Sequence, residues 1–145
     1  MIKQNNLVKY LLSFSTITVI YVYFINLPNL LVNNKNIVNE YYIQNFSKNY
    51  VFDFFLIAFY LLIANFIQEK FIKKEDLVSG LLSILITVLL ISGSAKIYFL
   101  KSNGDSFFHR WFEIAGNKAI LYDLILVGAV FVLYHFLGKK ITNND

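Results

Sequence analysis

Two aspartates stand inside otherwise apolar runs: Asp53 between Ser47 and Ile67, and Asp123 between Asn117 and Leu137. An ionisable group within an apolar span is costly to bury and marks a candidate binding or transport site. Each aspartate follows a residue of capping type, Ser47 or Asn117, by six positions. On a helix that is about 9 Å of rise, the inner edge of a head-group zone rather than the midplane. An acid there also gains from the positive end of the helix dipole, so a structural role stands beside the functional one. Asn26 is placed to bond Asp53, and Lys96 to pair with Asp123. The second contact would fix a hairpin, with desolvation offsetting much of its attraction.

Other chemistry is sparse. Asp105, His109 and Glu113 follow one another at intervals of four and share a helix face. These are metal-ligating types, but three of them on one exposed face more often form a solvated surface with a His–Glu contact. No metal or cofactor is expected. The chain has no cysteine, which excludes disulfides, thiolate metal sites and thiol catalysis. No nucleophile–base pair or glycine-rich phosphate loop stands out, so an enzyme is the weakest reading. The basic residues form no stripe, and no nucleic-acid partner is expected. Asn45-Phe46-Ser47 fits a glycosylation sequon, discounted because Ser47 reads as a cap beside the membrane.

The elements that carry these residues are written in the composition. Of 145 residues 57% are hydrophobic and 15% charged, against about 25% charged in soluble domains. The apolar residues fall in four runs, near 7–27, 47–67, 77–97 and 117–137. A membrane helix needs about 20 such residues, and backbone groups in lipid must pair internally, so each run is expected to be a spanning helix. The first run resembles a signal peptide at its start, with Lys3 and Lys9 ahead of an apolar core. The run exceeds the typical h-region of about 7–15 residues and lacks an Ala-x-Ala site, so it reads as a retained anchor.

Two shorter segments separate the runs pairwise. Residues 37–46 carry Ile37, Val38, Tyr41, Tyr42 and Phe46; residues 107–116 carry Phe107, Phe108, Trp111, Phe112 and Ala115, with Gly116 as a stop. Apolar residues at helical spacing, in segments too short to span, predict amphipathic interfacial helices. Tyr41, Tyr42, Phe107, Phe108, Trp111 and Phe112 would then be anchors at head-group level.

Displaced by 70 positions, the chain matches itself. Leu7-Val8 falls on Leu77-Val78, Leu11-Leu12-Ser13 on Leu81-Leu82-Ser83, Lys48 on Lys118, Asp53 on Asp123 and Phe66 on Phe136. The capping types Asn36 and Ser106 coincide, as do Ser47 and Asn117, and the polar pairs Asn26/Lys96 and Asn65/His135. The expected fold is an all-α, four-helix transmembrane bundle built from a tandem repeat, residues 1–70 and 71–145. Each unit would be two spans joined by an interfacial helix. Units that each cross twice share one orientation, so the repeat is parallel, with its axis along the membrane normal.

Gly80, Ser83, Thr87 and Ser94 form a small-residue stripe on the third span, read first as a helix-packing seam and second as a pore lining. With both termini cytoplasmic, Lys3, Lys9, Lys70, Lys73, Lys74, Lys139 and Lys140 lie inside against six bases outside. The cluster at 70–74 favours that orientation.

The stretch Ser106-Phe107-Phe108-His109-Arg110-Trp111-Phe112, followed by Ala115-Gly116 and Tyr122-Asp123, resembles small multi-pass membrane proteins of large DNA viruses that infect algae and protists. The resemblance implies a viral or host membrane and brings no activity. The first unit departs from it, with Glu40-Tyr41-Tyr42 in place of Arg-Trp-Phe. Two functions are carried forward: a structural or assembly component that packs on lipid, other membrane proteins or copies of itself, and a small oligomeric channel or transporter using the two aspartates.

Overall fold

The computed structural model describes residues 4–102 and 104–142. Lys3 lies outside the described residues, as do the side chains of Lys139 and Lys140, so part of the charge count has no structural counterpart.

Helix α1 (Gln4–Thr18) continues through a π-helical turn, Val19–Phe24. Asn26 then adopts the left-handed conformation, at φ 56°, which asparagine tolerates better than most residues. Pro28 sits in the first turn of α2 (Leu27–Val32), where its missing N–H costs nothing. A short helix α3 (Lys35–Asn39) is capped by Asn34, whose Oδ1 accepts from the Ile37 N–H at 3.2 Å. It runs into a second π-helical turn, Glu40–Gln44. The expected helix over 37–46 is thus present as one helical stretch, 35–44, that changes from α to π partway, with α2 before it and Asn34 rather than Asn36 as its cap. Ser47 lies inside α4 (Phe46–Ile67), not at its cap. A third π-helical turn, Gln68–Ile72, extends α4. Helix α5 is Leu77–Lys101, α6 Phe107–Ala115 and α7 Asn117–Thr142. Ser106 caps α6 as expected, accepting from the His109 N–H at 3.2 Å, and Gly116 ends it at φ 55°.

The described residues are helical without strands, and four helices are long and apolar enough to cross a membrane: Asn6–Phe24, Phe46–Ile72, Leu77–Lys101 and Asn117–Gly138. Helix α5 packs on α4 and α7, and α1 packs on α7. Aromatic rings join α1 to α4, with Tyr10 against Phe54 and Phe14 against Tyr50, both at 5.0 Å between ring centres. Outward, Phe55, Phe59, Leu62 and Phe66 of α4 and Val78, Leu82 and Leu89 of α5 are exposed. Such faces cost nothing against lipid tails, where small residues and close packing supply helix association instead.

The α5 seam is of that kind. Gly80, Ser83 and Thr87 are buried. A Cβ at Gly80 would collide with the Phe131 ring of α7. Ser83 Oγ donates to the Ser79 carbonyl at 2.9 Å and Thr87 Oγ1 to the Ser83 carbonyl at 2.8 Å, so these hydroxyls are satisfied within their own helix. Ser94 is not part of the seam. It is exposed, because the buried face of α5 drifts round the helix and brings Ser92 inward in its place.

Asp76 begins α5, its Oδ1 accepting from the Ser79 N–H at 2.7 Å. That bond to the backbone holds its carboxyl below the usual carboxylate range. A depressed pKa means that the cap stabilises above the ordinary carboxylate pKa and fades as pH falls through Asp76's own lower value. Asp76→Ala is expected to lower the thermal midpoint at neutral pH, with the difference vanishing in strong acid. Circular dichroism melts at the two pH values check this; a pH-independent difference would contradict the capping role.

Candidate functional site

The two linkers meet at one end of the bundle, where α2 touches α6. Tyr41 stacks on Phe107 at 5.0 Å and on Trp111 at 6.4 Å between ring centres. Glu40 Oε1 accepts from Arg110 Nη2 at 2.5 Å across the linkers, and Asp105 stands 3.5 Å from the same guanidinium. Tyr23 of the first π turn donates to the Tyr42 carbonyl at 3.0 Å, tying the end of the first span to the linker.

This arrangement corrects the expected anchors. Tyr41, Tyr42, Trp111 and Phe112 are buried, and Phe107 and Phe108 are partly buried. The apolar faces of the linkers turn on each other and onto the spans, while Glu40, Asp105 and Arg110 take the outer side. Stacked and edge-on rings gain about 0.5–1.5 kcal/mol per pair beyond area burial, which favours this inward packing.

Beneath the rings lies a cavity of about 250 Å³ between α4, α5 and α7. Asp53 and Asp123 both line it. Asp53 Oδ1 accepts from the Tyr41 hydroxyl at 2.6 Å. Asp123 Oδ2 accepts from the Ser92 hydroxyl at 2.5 Å and, at a longer 3.4 Å, from Tyr60. Burial pushes the Tyr41 phenol well above its usual range, and the charge of Asp53 adds to the shift. It therefore stays a donor at ordinary pH.

The expected partners of the aspartates lie elsewhere. Asn26 is exposed in its left-handed turn and makes no hydrogen bond to Asp53, which is held by Tyr41 instead. Lys96 Nζ donates to Asn117 Oδ1 at 2.6 Å, at the exposed start of α7 rather than at Asp123. A lysine near a helix end carries its charge outward along its flexible stem, and here the outward partner is an amide. The face of Asp105, His109 and Glu113 is also dispersed. Asp105 meets Arg110, His109 Nδ1 contacts the Phe99 carbonyl at 2.7 Å, and Glu113 stands 3.9 Å from His109 Nε2. Among the described residues no three such groups converge on a metal position.

Tyr60, Ser92 and Tyr122 complete the site; Tyr122 entered the sequence reading only through the Tyr122-Asp123 motif, and Tyr60 and Ser92 were not singled out. Tyr60 follows Asp53 by seven residues, two helical turns, which was a usable signal. Ser92 gave none, since serine is common in spans for packing alone. Tyr42 and Tyr122 form a buried hydroxyl pair at 2.6 Å. Tyr122→Phe strands the Tyr42 hydroxyl and is expected to cost about 1–3 kcal/mol. Adding Tyr42→Phe removes the stranded group, so the double variant should lose less than the two single losses summed. Denaturation in SDS, followed by far-ultraviolet circular dichroism, measures this, and strict additivity would refute the pairing.

A second cavity, of about 860 Å³, opens at the opposite end, lined by Lys9, Glu69, Lys73, Lys74, Asp76 and His135 among others. Its charges are of both signs. The aromatic cavity differs: no lysine, arginine or histidine lines it. Asp53 Oδ2 and Asp123 Oδ1 accept no hydrogen bond among the described residues. Two carboxylates without a basic partner, in an aromatic chamber, offer a place for positive charge. Set against known proteins, the chain matches no family model, no curated protein and no solved structure.

Proposed function

We propose that this chain is a small membrane protein that binds a cation between Asp53 and Asp123 and passes it across the bilayer. The observation that carries this reading is the shared cavity: two acids far apart in sequence line one chamber, and no basic side chain neutralises them. A purely structural role for the pair was expected to show in bonds to Asn26 and Lys96, and the aspartates have neither. Intramembrane carboxylates that face a cavity are the usual mark of an ion or substrate path.

The same reading takes the bundle as two related units. Under the 70-residue displacement the pairing of α1 with α7 exchanges with that of α4 with α5, and both pairs pack. Tyr41 and Trp111, equivalent positions, stack on each other. The units have diverged, since among the described residues two π-helical turns fall in the first and the third, Gln68–Ile72, straddles its end. On the charge bias, the aromatic end lies away from the cytoplasm, and on the motif resemblance the membrane is that of a virus or its host.

The test is reconstitution in liposomes, comparing efflux of inorganic and organic monovalent cations for wild type, Asp53→Asn and Asp123→Asn. Aspartate-dependent efflux supports the reading. Vesicles that are equally tight with all three proteins would leave the assembly role standing instead.

A further inference from the structure

The chamber's size and walls narrow the kind of cation. Its volume of about 250 Å³ lies just below the ~300–1,000 Å³ of pockets for drug-sized molecules, yet far above the ~30 Å³ share of one water. A bare metal ion would rattle in it. The hydroxyls of Tyr41, Tyr60 and Ser92 donate to the carboxylates, and Tyr42 donates to Tyr122, so the chamber's oxygens are gathered into protein hydrogen bonds on its polar side. What the wall offers in quantity is ring carbon: Tyr41, Phe99, Phe108, Trp111, Phe112 and Tyr122 all face the chamber.

Rings attract cations through their faces, and Trp and Tyr do so most strongly; desolvation raises the gain to about 2 kcal/mol or more. A weakly hydrated ion with an alkylated nitrogen loses little on leaving water and fills the volume with carbon. We infer that the chamber takes a small organic ammonium ion, its charge set against the free oxygens Asp53 Oδ2 and Asp123 Oδ1 and its alkyl groups on the rings. The inference rests on the cation-binding reading and adds the chemical class of the ligand.

Trp111 is the one tryptophan of the chain and forms part of the wall, so its fluorescence reports occupancy directly. Full-length protein in mild detergent would be titrated with choline, with its uncharged carbon isostere 3,3-dimethylbutan-1-ol, and with sodium and potassium chloride. The expected result is saturable quenching or shift with choline, at least tenfold weaker binding of the isostere, and at least tenfold weaker binding of choline to Asp53→Asn and Asp123→Asn. Should either variant fail to fold, the choline–isostere comparison on wild type decides alone. Equal binding of the two isosteres would overturn the inference, leaving an apolar pocket. No choline response, with aspartate-dependent flux of sodium or potassium, would also overturn it while leaving the cation-binding reading intact. Failure of every cation, in binding and flux alike, would remove both.

Discussion

Trp111→Ala is expected to cost roughly 3–5 kcal/mol of stability, the range for removing a large buried ring from a core. Trp111 is 8% exposed and lies among Tyr41, Phe107 and Tyr122, at 6.4, 6.0 and 6.3 Å between ring centres. It thus touches both linkers and the start of α7, and its loss opens a void at the junction of three elements that no neighbour can fill without leaving another. Trp111→Phe keeps a ring in place and should retain most of the stability. SDS titration followed by helicity measures both. A loss under about 1 kcal/mol for alanine would mean that the indole lies at the surface, like the belt tryptophans of membrane proteins at head-group level, and not in a core.

The second large effect is on transport. Asp53→Asn and Asp123→Asn are each expected to reduce cation efflux at least tenfold. The replacement is close in shape, and the Tyr41 or Ser92 hydroxyl can still donate to an amide oxygen, so the helix packing should survive. What disappears is one of two charges in a chamber with no other ionic group. Because both carboxylates would face one ion, the double variant should fall short of the product of the single effects. Monodisperse variants with wild-type helicity and unchanged efflux would falsify the cation reading.

The sequence made some of this legible and hid the rest for physical reasons. The spans were readable because length and hydropathy are what lipid demands of a crossing helix. Asp53 and Asp123 stood out because a carboxylate in such a run is costly to bury, but that both line one cavity was not legible. The burial of Tyr41, Tyr42, Trp111 and Phe112 was not: an amphipathic pattern says that one face is apolar, and lipid and protein satisfy that face equally well. Asn26 and Lys96 were assigned by proximity along the chain, which knows nothing of the left-handed turn at Asn26 or of a lysine stem reaching outward. The π-helical turns left no mark, since each inserts one residue of register into an unchanged apolar pattern. The drift of the α5 face that brings in Ser92 and leaves out Ser94 depends on how neighbouring helices cross, which a single helix's periodicity does not encode.

The contact between Glu40 and Arg110 has one further consequence. Both side chains are a little over one-third exposed, at 36% and 37%, so the pair is solvated and weak on its own. A guanidinium also matches phosphate with the same planar fork that it offers a carboxylate. In a bilayer, as the proposed function requires, phosphates of the adjoining leaflet would compete with Glu40 for Arg110. The firmness with which the two linkers close over the chamber would then depend on the leaflet as well as on the protein, and anionic and zwitterionic bilayers would present different molecules.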